Sequence, residues 1–175
     1  LKSRCCKRDA IAVDLKGNSL FKTKKIEQVH IGIAYPSVRR YEELYDATQV
    51  MNTVLGGGIS SRLFQRVRED LGLAYSVYSF VSSYAEAGSL SVYAGVNSDK
   101  YLQSVKAIYD CIDDLKKNGM KEEEFLRGKE QLISSSIFSQ ESTGSQMLLV
   151  GKEMLYSGKI YDFEKRFGYP MCVGC

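Results

Sequence analysis

Apolar and polar positions alternate with a period of two in the first part of the chain. From Gln28 to Tyr35 the apolar side chains share one face, which predicts a strand closed by Pro36. Two further strands are predicted over 73–81 and 89–96, and the segment between them suits the turn of an antiparallel hairpin. A shorter alternation over Asp9–Asp14 predicts another strand. In the strand over 73–81 the sequence does not decide which of two sets of residues faces the core. The sets are Leu73, Tyr75 and Val77, or Ala74, Tyr78 and Phe80.

Apolar spacings of three and four predict helices elsewhere in the chain. One runs over 41–55 and stops at the glycines after Leu55, and the next runs from a cap at Ser60 or Ser61 to Leu71. Beyond residue 98, three helices are predicted, ending near Gly119, residue 139 and Gly158. The first of them has an apolar stripe formed by Tyr101, Leu102, Val105, Ile108, Ile112 and Leu115. Strands followed by helices predict an α+β fold, a largely antiparallel sheet covered on one side by helices.

The run Leu55–Ser79 combines a glycine turn, an amphipathic helix, a second glycine turn and a strand that opens with a tyrosine. This run resembles the second homologous domain of the pitrilysin/insulinase clan of zinc metallopeptidases, in the branch of the mitochondrial processing peptidases and their bacterial relatives. Similar segments at 28–33, 91–95, 129–132 and 140–145 extend the resemblance over most of the chain. It implies a lead-in with a short first strand over 1–24, an insulinase-like second-half domain over 25–166, and a divergent or artificially added tail over 167–175.

The catalytic signature of that family is His-x-x-Glu-His, in which two imidazoles bind zinc and the glutamate activates water. This chain contains one histidine, His30, and therefore cannot form the signature. The resemblance implies a domain that holds no metal and is inactive alone, with the zinc in an N-terminal half of the parent protein.

Arg68 and Tyr75 match the family positions that reach from the second domain into the substrate cleft. The resemblance implies that both bind the substrate backbone and that the tyrosine helps to stabilise the tetrahedral intermediate, roles that suit a forked cation and a phenol donor. Gly56, Gly57 and Gly58 would present backbone amides to the same peptide. The alternatives are a solvated helix residue for Arg68, a half-buried strand residue for Tyr75, and a helix stop that needs unusual backbone angles for the glycines.

Composition narrows the classes of partner. A net charge of +3, from 24 basic and 21 acidic residues, gives no indication of a nucleic-acid partner, and no apolar run approaches the roughly 18 residues of a membrane span. Cys111 falls on the apolar side of a predicted helix, as a small buried side chain does. The other cysteines lie at the two ends, where a zinc knuckle would require the termini to meet: Cys5, Cys6, Cys172 and Cys175. Reduced thiols favour the bacterial cytoplasm, with the mitochondrial matrix as the alternative.

The function predicted from the sequence is that of the substrate-binding, non-zinc domain of a zinc metalloendopeptidase that hydrolyses peptides or presequences. Its partners would be the zinc-bearing N-terminal half and an extended peptide, and a homodimer or heterodimer stays open. One alternative is a non-catalytic assembly subunit, as in the core subunits of a respiratory complex. Another is an isolated peptide-binding module. The pair Arg68 and Tyr75 favours the peptidase.

Overall fold

The computed structural model describes residues 27–158, together with Gly17, Ser19 and Leu20. The predicted strand over 9–14 lies outside the described residues, and so do Cys5, Cys6, Cys172 and Cys175. The chain divides into two compact units, one ending at Met120 and the other beginning at Lys121. The predicted limits at 24 and 166 remain a prediction.

A three-stranded antiparallel sheet is the frame of the first unit. Its strands are β1 (Gln28–Ser37), β2 (Ala74–Ser83) and β3 (Gly88–Asn97), in the order β1-β3-β2. The hairpin predicted between the second and third strands is therefore confirmed. The prediction that Pro36 closes the first strand is wrong, because Pro36 still pairs with Ser89. Proline is tolerated there because β1 lies at an edge of the described sheet, where one side of the strand needs no donor.

Helices cover one face of this sheet. They are α1 (Tyr45–Gly56), a π-helical segment (Phe64–Asp70), and α2 (Tyr101–Asn118), which follows a 3-10 turn (Ser98–Lys100). The core between the layers is aliphatic and includes Leu55, Leu63, Val67, Val92, Val96 and Ile108. The predicted α+β architecture is confirmed.

Two predicted helices differ in detail from the structure. The first begins at Tyr45 and not at Tyr41, because Tyr41 has a φ of +69° and the Glu42 carboxylate accepts hydrogen bonds from Arg39. The second is largely π-helical, and the Ser61 hydroxyl donates to a carbonyl instead of capping it. Two residues of the apolar stripe predicted beyond residue 98, Tyr101 and Leu102, are exposed, and so is Leu44, which lies within the helix predicted over 41–55.

The alternation of β2 changes phase at Tyr75. Ala74 pairs with Val96, and Ser76 pairs with the adjacent Gly95, so Tyr75 is the extra residue of a β-bulge. Beyond the bulge the two faces are regular: Val77 and Ser79 are buried, whereas Tyr78 and Phe80 are exposed. The inserted residue explains why two sets of side chains compete for the core in the sequence pattern.

The described part of the second unit, up to residue 158, consists of two consecutive helices, α3 (Glu122–Gln140) and α4 (Thr143–Ser157). The backbone N–H of Lys121 donates to Glu124 Oε2 at 2.9 Å, and Ser142 caps α4 through its hydroxyl. Both predicted helices are confirmed. Within the described residues, no helix has the length and apolar character needed to cross a membrane.

Candidate functional site

Arg68 lies on the π-helical segment, which is anchored by the buried side chains of Leu63 and Val67. The Leu73 N–H donates to the Val67 carbonyl at 2.9 Å, and between them Gly72 adopts a φ of +56°. A side chain at that φ would be strained, so glycine suits this turn into β2. Arg68 is thus held on a rigid element immediately before the strand that carries Tyr75.

Tyr75 is exposed because it is the bulged residue of β2. Its side chain is 61% exposed, whereas its neighbour Ala74 is buried against the core. A β-bulge locally breaks the alternation of a strand and re-aims one side chain. Here the re-aimed side chain is the tyrosine singled out in the sequence.

Arg68 and Tyr75 line the same open pocket, of about 330 Å³. Its other polar side chains are those of Glu69, Asn97 and Lys100. The Arg68 guanidinium lies 4.7 Å from the centre of the Phe64 ring, and its Nε is 3.8 Å from Glu69 Oε1. Such a pocket offers two cations, a phenol and an amide to a ligand. That these groups bind substrate stays a prediction.

The three predicted glycines lie elsewhere. Gly56 is buried where α1 meets β2, and a Cβ there would lie 2.5 Å from Ser79 N. The Gly57 N–H donates to the helix carbonyl of Thr53 at 3.2 Å. None of Gly56, Gly57 and Gly58 has a positive φ, so the explanation by unusual backbone angles is wrong. Close approach explains Gly56, and a substrate-binding role for the three stays a prediction.

Two features of the first unit escaped the sequence analysis. One is that Asn97 and Lys100 line the same pocket as Arg68. Their position there depends on the β2–β3 register and not on local spacing. The other is an aromatic cluster on the open face of the sheet, in which His30 Nδ1 lies 2.7 Å from the Tyr93 hydroxyl. The ring of Tyr78 lies 5.0 Å from that of Tyr93. Because alternate residues of a strand lie on the same face of a sheet, the alternation along the three strands would have predicted this cluster.

The residues of this chain do not fit the zinc signature. Within 27–158, no group of three His, Cys, Asp or Glu side chains is placed to hold a metal ion. His30, the only histidine of the sequence, is exposed beside Tyr93. Cys111 is buried as predicted, and its burial raises the pKa of the thiol above the ordinary value. We therefore derive no metal-dependent step for these residues.

Sequence comparison connects the chain to bacterial proteases. The uncharacterized zinc protease YmxG of Bacillus subtilis is 43% identical over 141 residues, which cover 80% of this chain and 34% of YmxG. An uncharacterized zinc protease of Streptomyces coelicolor is 41% identical over 136 residues, 78% of this chain and 30% of the relative. The chain thus spans about a third of the length of these relatives.

Solved structures share the fold. The peptidase M16 inactive domain from Pseudomonas fluorescens matches with a TM-score of 0.74 and 24% identity, covering 82% of this chain and 34% of that one. A chain of complex III2 from Candida albicans matches with a TM-score of 0.72 and 15% identity, covering 83% of this chain and 37% of the other. The family model described as the peptidase M16 inactive domain matches residues 7–132. This chain therefore belongs to the peptidase M16 inactive domain family.

Proposed function

We propose that this chain is the substrate-binding, non-zinc domain of a zinc-dependent metalloendopeptidase. In this proposal Arg68 and Tyr75 hold an extended peptide in the pocket between the π-helical segment and β2. The observation that supports it is that both side chains line that pocket, although each is set there by a different backbone irregularity. The names of the bacterial relatives, zinc proteases, support the reaction class.

The chemistry of the two side chains suits these roles. A guanidinium donates in a planar fork and stays charged, so Arg68 would bind peptide carbonyls and fix the register of the chain. A phenol hydroxyl would donate to the scissile carbonyl oxygen as negative charge develops on it. The ring of Phe64 supports the guanidinium from one side, which reduces the side-chain freedom lost on binding.

The proposal assigns the remaining parts of the reaction to other residues of a longer protein. An N-terminal half would hold the zinc and the glutamate that activates water, and hydrolysis would take place between the two halves. The bacterial cytoplasm is the proposed location, in keeping with the bacterial origin of the relatives. Presequences as substrates, and a homodimer or heterodimer, belong to this same proposal.

Peptide binding by the chain itself tests the proposal. The probe is a fluorescein-labelled unstructured peptide without acidic residues and with an amidated end, followed by fluorescence anisotropy. We expect Arg68→Ala to weaken binding roughly 10-fold, the effect of losing a charged hydrogen-bond donor. Arg66→Ala is the matched control, because Arg66 is exposed on the same segment, 3.6 Å from Asp70, and does not line the pocket.

Equal weakening by both variants would contradict a specific role for Arg68, and so would an unchanged affinity in Arg68→Ala. Thermal melting of both variants checks that the fold is intact. Failure of the wild-type chain to bind the peptide at any concentration up to millimolar would overturn the proposal as a whole.

A non-catalytic assembly subunit is the second candidate. The structural match to a chain of complex III2 from Candida albicans favours it, because that chain carries a similar fold as part of a complex. An assembly subunit would associate with its partner whether or not Arg68 and Tyr75 are present. Double replacement of the two residues therefore separates the candidates: loss of peptide binding with intact assembly supports the peptidase domain. Peptide binding that survives the double replacement favours the subunit.

A further inference from the structure

The pocket that contains Arg68 and Tyr75 has an excess of positive charge. Among the described residues, its lining includes two cationic side chains, Arg68 and Lys100, and one carboxylate, Glu69. Glu69 Oε1 lies 3.8 Å from Arg68 Nε, so its charge is directed mainly at Arg68. Among the described residues that line the pocket, Lys100 is therefore the cation whose charge is available to attract a ligand.

Lys100 is held beside the pocket by the fold. It ends the 3-10 turn Ser98–Lys100, which begins where the Asn97 side chain accepts a hydrogen bond from the Asp99 N–H at 3.4 Å. The Lys100 ammonium then donates to the Gly72 carbonyl at 3.3 Å, 28 residues away in sequence. Its partner is thus a neutral carbonyl, which leaves the ammonium charge uncompensated at that contact. An ammonium has two further donors for a ligand.

We propose that Lys100 is a specificity-determining residue that binds a carboxylate of the peptide held by Arg68 and Tyr75. This inference rests on the proposed function, because it names the class of peptide that the same pocket takes. A carboxylate is the group that an ammonium binds through charge-assisted hydrogen bonds. Two sources supply it, an acidic side chain within the peptide and the carboxylate at its C-terminus.

Because the pocket is open to solvent, the preference of Lys100 for a carboxylate should be modest. Lys100 is exposed, and an ion pair between exposed groups stabilises a complex modestly and is screened by salt. We therefore expect about a 3- to 10-fold preference for a peptide that carries the carboxylate, reduced at high ionic strength. A basic peptide would meet two like charges in the same place, so among the proposed substrates this inference selects against presequences, which are rich in arginine and poor in acidic residues.

Three peptides of otherwise identical sequence test the inference. The first has an amidated end and no acidic residue, the second has a free C-terminal carboxylate, and the third is amidated with one central glutamate. Anisotropy titrations with the wild-type chain, at about 50 mM and about 500 mM salt, compare their affinities. Preference for the second peptide identifies the C-terminus as the source, and preference for the third identifies an acidic side chain.

Lys100→Met should abolish the preference, measured as the ratio of the affinities for the charged and the neutral peptide, whereas Lys100→Arg should keep it. Lys106→Met is the matched control, because Lys106 is exposed on α2 and does not line the pocket. Equal binding of all three peptides, or a preference that survives in Lys100→Met, would overturn the inference. The proposed function would still stand if the neutral peptide binds and Arg68→Ala weakens it. If no peptide binds, both fail.

Discussion

The hydroxyl of Tyr75 is the group on which the proposed transition-state contribution depends. Tyr75→Phe removes that hydroxyl and keeps a ring that is largely exposed, so the free energy of unfolding should change little. In the parent protein we expect turnover to fall about 10- to 1000-fold, the effect of one preorganised oxyanion donor. Steady-state kinetics measures it, with melting temperature and zinc content checked for each variant.

Tyr78→Phe is the matched control for that substitution. Tyr78 is also an exposed tyrosine of β2, at 45% exposure, but it lies in the aromatic cluster and does not line the pocket. Its replacement should leave turnover within about two-fold of the wild type. A wild-type rate in a folded, zinc-loaded Tyr75→Phe variant would refute the role of the hydroxyl.

Single functional residues were predictable only where they belong to a motif of the family. Arg68 and Tyr75 were selected by the run Leu55–Ser79, which contains both. Lys100 was not selected, because its place beside Gly72 depends on a contact across 28 residues of sequence. Such a contact follows from the β2–β3 register, and no local spacing encodes it.

The contact between α1 and β2 depends on the absence of a side chain at Gly56. A Cβ there would lie 2.5 Å from both the N and the Oγ of Ser79, and that hydroxyl already donates to Asn52 Oδ1 at 2.7 Å. We expect Gly56→Ala to lower the free energy of unfolding by about 1–3 kcal/mol, as overpacking does. Urea denaturation of the chain measures the change.

Gly32→Ala is the control for Gly56→Ala. Gly32 lies in β1, and a Cβ there would have no atom of the described residues within 4 Å, so the chain should keep its stability or gain a little. Equal midpoints for Gly56→Ala and the wild type would show that α1 can move away from β2 at no cost, contrary to the close packing described above.

Most elements were predictable because their periodicity is strong, and the exceptions have local causes. Within residues 27–158 the strands and helices were predicted in the right order, as was the hairpin. The face of the sheet on which each β2 side chain lies was not predicted, because one inserted residue at Tyr75 shifts the alternation. The start of α1 was missed because hydrogen bonds between Arg39 and Glu42 fix a turn that periodicity does not reveal.

The chain as a whole should be inactive alone. One histidine cannot form the zinc signature, so we expect the purified chain to contain no catalytic zinc and to hydrolyse no peptide. Metal analysis and a peptidase assay with and without chelator measure this. Stoichiometric zinc together with chelator-sensitive hydrolysis would refute the prediction. Zinc bound without activity, and lost when the four terminal cysteines are replaced by serine, would indicate a structural knuckle.

The family was accessible from sequence because its motifs lie within this chain, whereas the proposed hydrolysis depends on residues that the chain does not contain. The match over 7–132 and the α+β fold agree with the resemblance inferred from Leu55–Ser79. The chain spans about a third of the length of its relatives, and in the proposed function the zinc and the attacking water are held by other residues of a longer protein.

The backbone irregularities beside the pocket have an evolutionary consequence. A π-helix has a wider turn than an α-helix, with hydrogen bonds from residue i to i+5, and a β-bulge adds one residue to a strand. Arg68 lies in the π-helical segment, and Tyr75 is the residue that the bulge adds to β2. We expect the loss of one codon in either place to restore a regular element. A gene of this family could thus lose the present arrangement of Arg68 and Tyr75 through a single in-frame deletion.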